Sequence, residues 1–297
     1  MSSLGYEAAA LGAATAWAIG GLIAAGPSKE LGGARFTRLR MYWVAFVLAV
    51  IATIVGGWAS LGQREVVLLA ASGVVGLALG DAALFTAFSR LGPRRTGMLF
   101  ATNAPMAAIL SALFYGERFT VRTITGTVLV SVGVSLAIAY GTRQNQKHHW
   151  EEVRGSLLAG VGFGLLGALG QAVGVLLADP AFDADIDPWA AAAVRAIVGL
   201  AALVALRGWF EARSTIPYPD RIRPSPWIAI LVSATIGMVI GKTLVLIALD
   251  GGDPGIVSVL VSTSPVLQLP LIWLVTREQT APGAWIGAVA AAFGTCL

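Results

Sequence analysis

Two ionisable residues stand inside long apolar runs of this sequence. Asp81 closes the segment Gly-Leu-Ala-Leu-Gly-Asp and Lys242 closes Gly-Met-Val-Ile-Gly-Lys. A charge at the centre of a membrane helix costs roughly 2.5 to 3.5 kcal/mol on insertion scales, so such residues normally face a partner or a water-filled cavity. Three readings fit the pair. As a substrate site, Asp81 takes an ammonium and Lys242 a carboxylate, the two ends of a zwitterion such as an amino acid. As a structural ion pair, the two side chains lock their helices together. As a proton-coupling group, Asp81 titrates during transport. Each residue lies about four positions past the middle of its run, towards opposite membrane faces, which separates their Cα atoms in depth by roughly 12 Å. A direct pair is therefore stretched, with room for water or substrate between.

Other side chains join the candidate substrate site. Arg195 lies well inside its apolar run and offers a bidentate donor to an anion; the alternative is a helix-end arginine bonded to backbone carbonyls. Arg40 sits nearer a helix end, where snorkelling to the interface is expected. Trp17 falls mid-run, unlike Trp58 and Trp227 near run ends. Asn103, Gln171 and Gln268 would be unsatisfied against lipid and are expected to face inward. Pro105 and Pro265 are candidate gates or hinges, since a mid-helix proline frees backbone carbonyls; inert bending is the plainer reading.

The elements that must position these residues are transmembrane helices. Of the 297 residues, 57% are hydrophobic and 12% charged, against about 25% charged in a soluble domain. Spans of about 20 apolar residues fall at 5–26, 37–58, 65–90, 94–116, 120–141, 155–178, 187–208, 226–249, 252–275 and 281–297. The runs are too long and too uniform for barrel strands. The first lacks a basic leading segment, so a membrane helix is expected there rather than a cleaved leader. The fold class is all-α integral membrane.

The two halves are related. Residues 80–133 align with 241–294 at a constant offset, pairing Gly76, Gly80, Pro93, Thr102, Glu117 and Gly126 with Gly237, Gly241, Pro254, Thr263, Glu278 and Gly287. The first repeat is 1–141, a polar linker occupies 142–154, and the second repeat is 155–297. Five spans per copy is odd, so the second copy enters the membrane from the opposite side, an inverted repeat around a central cavity. Asp81 and Lys242 occupy equivalent positions in this repeat. Most Lys and Arg lie in the loops after the odd-numbered spans, which the positive-inside rule assigns to the cytoplasm. Both termini, and the loop carrying Asp179, Asp183, Asp185 and Asp187, are then expected outside a cell (inner) membrane.

The segment Ala87 to Pro105, A-F-S-R-L-G-P-R-R-T-G-M-L-F-A-T-N-A-P, followed by Y-G-E-R-F from Tyr115 and glycines at 126 and 133, resembles the EamA-type repeat of the drug/metabolite transporter superfamily. The second copy, with V-S-T-S-P from Val261 and Arg277-Glu278, is similar to it as well. Trp17, Arg40 and Arg195 resemble residues of that family. The resemblance implies ten helices and a secondary transporter exporting small polar metabolites, amino acids foremost, by alternating access. A carrier for an organic cation, an organic anion or a sugar derivative is the alternative. A channel or an intramembrane enzyme fits less well: the two histidines, His148 and His149, lie side by side in the linker, and the lone Cys296 gives no metal-ligand spacing. The partners expected are the lipid bilayer and a small-molecule, zwitterionic substrate; neither nucleic acid, metal nor cofactor is expected.

Overall fold

The computed structural model describes residues 3–115, 153–212, 224–249, 263–276 and 281–295, with a few residues between 121 and 133 and at 260–261. All described regular structure is helical. Helices α1 (Ser3–Leu31) and α2 (Gly33–Ile54) are followed by α3 (Gln63–Ser72), a π-helical stretch (Gly73–Gly80) and α4 (Asp81–Leu91), which together make one continuous span. Next come α5 (Pro93–Phe100), α6 (Asn103–Tyr115), α7 (Leu157–Phe182), α8 (Pro188–Ala205) and the short α9 (Arg207–Ala212). The second half continues with α10 (Pro224–Ala234), a second π-helical stretch (Thr235–Ile240), α11 (Gly241–Leu249), α12 (Ser264–Thr276) and α13 (Pro282–Thr295). Among the described residues, seven helices are long and apolar enough to cross a membrane. Helices α12 and α13 stand where the ninth and tenth spans are expected, while the fifth span and most of the 142–154 linker lie outside the described residues. Large apolar side chains such as Phe46, Leu113 and Leu158 lie exposed, the surface that a hydrocarbon solvent accepts and water does not.

The repeat recognised in sequence reappears in backbone detail. Both π-helical stretches interrupt the third span of their half, just before Asp81 and Lys242. In the first, the Asp81 N–H reaches back five residues to the Gly76 carbonyl; in the second, the Gly241 N–H reaches the Ile236 carbonyl. A π turn carries one extra residue in the helix and rotates the next turn about the axis. Thr102 and Thr263 form a second matched pair. Each hydroxyl bonds a carbonyl three residues back, Leu99 and Leu260 respectively, at 2.6 Å.

The fourth span is broken at Ala101–Thr102 rather than kinked at Pro105, which lies in the first turn of α6. Proline has no N–H for the carbonyl four residues back, here that of Ala101, so the break falls one turn before it. Pro265 holds the corresponding place in the first turn of α12.

Glycines set the crossings between halves. The π stretch of the first half packs against α7: a Cβ on Gly170 would lie 2.7 Å from Gly80 Cα, and one on Gly174 would lie 2.8 Å from Gly76 Cα. In the second half the partner is α1, where a Cβ on Gly20 would lie 3.0 Å from Gly237 Cα. The third span of each half thus packs against the first span of the other, as an inverted repeat requires. Backbones this close are the membrane alternative to hydrophobic driving force.

Loops at each end tie the halves together. Arg154, closing the linker, donates to the Lys29 carbonyl at 3.0 Å, and its N–H bonds the Arg90 carbonyl. Arg38 pairs with Glu211 at 3.0 Å and Arg207 pairs with the same carboxylate at 2.9 Å. Burial alone would raise the Glu211 carboxyl, but the two arginine donors outweigh it and hold the group below the ordinary glutamate range. At the opposite end, the Asp187 N–H donates to Ser60 Oγ and the Asp187 carboxylate caps α8.

The glycine contacts are directly testable. Gly170→Ala and Gly174→Ala each force the backbone of the third span away and are expected to lower the melting temperature. Gly162→Ala, a helical site where a Cβ meets nothing within 4 Å, is expected to be neutral or to stabilise by up to about 1 kcal/mol. Equal effects at all three positions would contradict this packing.

Candidate functional site

Helix α2 presents Phe36 and Arg40 one turn apart on one face, against α4. The Arg40 guanidinium lies 4.4 Å from the centroid of the Phe85 ring and 5.8 Å from that of Phe36. Its Nη2 donates to Asp81 Oδ2 at 3.1 Å. Both residues are buried, Arg40 to 6% exposure and Asp81 to 4%. Aromatic faces favour the cation and the carboxylate neutralises it, so a charge that lipid would reject is housed within the bundle. Thr37 Oγ1 accompanies them, placed 2.9 Å from the Gly33 carbonyl and 3.3 Å from that of Asp81.

The other carboxylate oxygen of Asp81 is taken from the second half. Gln171 Nε2 donates to Asp81 Oδ1 at 2.6 Å and to the Gly76 carbonyl at 3.0 Å. Gln171 reaches this position because α7 crosses the π stretch through Gly170 and Gly174, with no side chain between the backbones. One carboxylate therefore joins α2, α4 and α7.

Arg195 and Lys242 complete the electrostatic surroundings of Asp81, which feels Arg40 most strongly, then Lys242, then Arg195. Arg195 is the eighth residue of α8 and passes the glycines of the first π stretch: a Cβ on Gly76 would lie 3.7 Å from its Nη2. Its Nε is buried without a hydrogen-bond partner among the described residues. Lys242 is the second residue of α11 and is half-buried. The charges acting on Lys242 are Arg195, Asp81 and Arg40. Neither Lys242 nor Arg195 has an ion-pair partner within 4 Å among the described residues. Trp17, 36% exposed, lies beside Lys242: a Cβ on Gly241 would meet its Nε1 at 2.5 Å.

These positions revise several expectations. The ion pair of the third span is made with Arg40, not Lys242, so it locks the second span to the third rather than the third to the eighth. Arg40 does not snorkel. Helix α2 begins at Gly33, four residues before the expected span, which carries Arg40 deeper into the bundle. Arg195 makes no hydrogen bond to a backbone carbonyl among the described residues and sits mid-helix. Gln268 is buried between Gly21 of α1 and Gly97 of α5. Asn103 opens α6, and no described contact joins it to Asp81. The aromatic cradle of Phe36 and Phe85 is absent from the sequence expectations; its signal is an aromatic four residues before an arginine in an apolar run.

The family model for the EamA-like transporter family matches residues 5–139 and again 158–297. No curated protein matches the chain. A protein of known crystal structure is similar to it with a TM-score of 0.63 at 17% identity, over 98% of this chain and 94% of that one; at this identity the likeness speaks for the fold.

In the solute-free protein, Lys242→Met and Arg195→Met remove mutually repelling cations and are expected to leave the melting temperature unchanged or raise it. Gln171→Leu strips a charge-assisted hydrogen bond from a buried carboxylate and is expected to cost about 1.5–3 kcal/mol. Thermal melts of the purified variants check this; a large loss at Lys242 with none at Gln171 would reverse the assignment of partners.

Proposed function

Because this chain belongs to the EamA-like transporter family, we propose that it is a secondary carrier exporting small carboxylate-bearing metabolites, amino acids among them, by alternating access. As a family member it is a multi-pass membrane transporter of small solutes; the choice of solute rests on the site. The observation that carries it is the division of charges around Asp81. Arg40 already neutralises the carboxylate at 3.1 Å, while Lys242 and Arg195 stand without acidic partners among the described residues. Two cations held within a membrane bundle need an anion, and a solute carboxylate supplies one.

An amino acid suits this site in its carboxylate. Its ammonium would have to share Asp81 with Arg40 and Gln171, which the remaining lone pairs of the two oxygens allow. Coupling through a proton on Asp81 would require the Arg40 pair to open. Trp17 offers an apolar wall and an indole donor beside Lys242.

Movement has matched sites in both halves. The two π stretches adjoin Asp81 and Lys242, and the two interrupted helices lie at Thr102 and Thr263. Such paired discontinuities let one repeat rock against the other around a midplane site. The smooth glycine crossings between α7 and the first π stretch, and between α1 and the second, are surfaces on which that rocking takes place. Loop charge orients the carrier with both termini outside the inner membrane.

Counterflow in proteoliposomes tests the reading. With labelled amino acids and organic acids outside, an excess of the same unlabelled solute inside is expected to accelerate uptake at least several-fold. Uptake of every solute indifferent to the internal one, rising linearly with concentration, would indicate a channel and contradict alternating access.

A further inference from the structure

The two halves are equivalent in backbone and unequal in charge. Arg40 is the eighth residue of α2 and Arg195 the eighth residue of α8, the second spans of their respective halves. Asp81 and Lys242 occupy equivalent places just after the π stretches. In the first half the arginine of the second span meets an acid on the third span. In the second half the same place holds Lys242, so Arg195 meets a like charge. Arg195 is in fact the strongest charge acting on Lys242, ahead of the attraction from Asp81. The cluster of Arg40, Asp81, Arg195 and Lys242 therefore holds three cations and one carboxylate.

A zwitterion brings no net charge and leaves that excess in place. A solute with two negative charges cancels it. Resting on the carrier reading above, we propose that Lys242 and Arg195 form a dianion subsite, and that the preferred solute is a small organic dianion, a dicarboxylate or a phosphate monoester, rather than a zwitterionic amino acid. Arg195 supplies a planar two-point donor and Lys242 a point charge, the combination that binds both groups. Each carries its charge on a side chain from the second half, while the first half contributes the pre-neutralised Asp81. The occupant is a soluble anion and not a lipid headgroup. Arg195 lies eight residues into an 18-residue helix, about 12 Å from its start, beyond the reach of either headgroup layer.

The test uses the purified full chain in uncharged detergent at constant ionic strength. Melting temperature is followed against succinate, glycerol phosphate, alanine and choline. Succinate or glycerol phosphate is expected to raise it saturably, and whichever acts names the anionic group; alanine and choline are expected to leave it unchanged. Lys242→Met and Arg195→Met, folded by their own solute-free melts, are each expected to weaken the shift at least tenfold, with Lys242→Arg retaining most of it. A shift by alanine equal to that of the dianions, a dianion shift that survives both substitutions, or no shift with either dianion overturns the proposal. Counterflow separates this from the carrier reading: exchange of alanine but of neither dianion overturns the dianion subsite and leaves the carrier standing, and exchange of no solute removes both.

Discussion

A carboxylate held in the apolar interior of a membrane bundle must be neutralised, and the rest of this site is arranged around that requirement at Asp81. Arg40 meets one oxygen and Gln171 the other, so helices from both halves converge on a single side chain. The Arg40 guanidinium is in turn laid on the Phe85 ring. Removing one member of such a buried pair typically costs about 3–5 kcal/mol, because the survivor is left as an uncompensated charge. The pair fixes the second span against the third, and the glycine crossing of α7 brings Gln171 within reach.

Satisfying Asp81 in this way decides the character of the site. A carboxylate already engaged on both oxygens is a fixed feature of the first half, whereas the equivalent place in the second half carries a cation with no acid beside it. Inverted repeats arise with equal halves and acquire function where they differ. Here the difference is a Lys for an Asp, and a Trp on α1 where the crossing of the first half uses glycine. Trp17 lies against Gly241 much as Gly170 lies against Gly80, which gives the second half a wall where the first half has a close contact.

Much of the architecture was legible because lipid imposes strong rules. Apolar run length located the helices that are described, and the cost of intramembrane charge singled out Asp81, Lys242 and Arg195. The repeat was visible because Pro, Glu and paired glycines recur at fixed spacing. Partners were harder to read. Placing the second span at 37–58 when the helix runs Gly33–Ile54 shifted Arg40 from interior to interface, and a shift of four residues, one helical turn, was enough to hide the ion pair. The π stretches were not legible at all, since nothing in Gly-Val-Val-Gly-Leu-Ala-Leu-Gly distinguishes a five-residue from a four-residue hydrogen bond. Yet those stretches rotate Asp81 into place. Pro105 marked an interruption correctly in region, although the break falls at the carbonyl that the proline leaves unpaired.

The most direct test of the central claim is a double-mutant cycle on thermal stability with Arg40→Met, Asp81→Asn and the two combined. If Asp81 belongs to Arg40, each single substitution destabilises strongly and the double is no worse than the worse single, giving a coupling of about 3 kcal/mol, the upper end of what contacting residues show. Additive effects, or a coupling that appears only when Asp81 is paired with Lys242, would show that the carboxylate is committed across the repeat rather than within its own half.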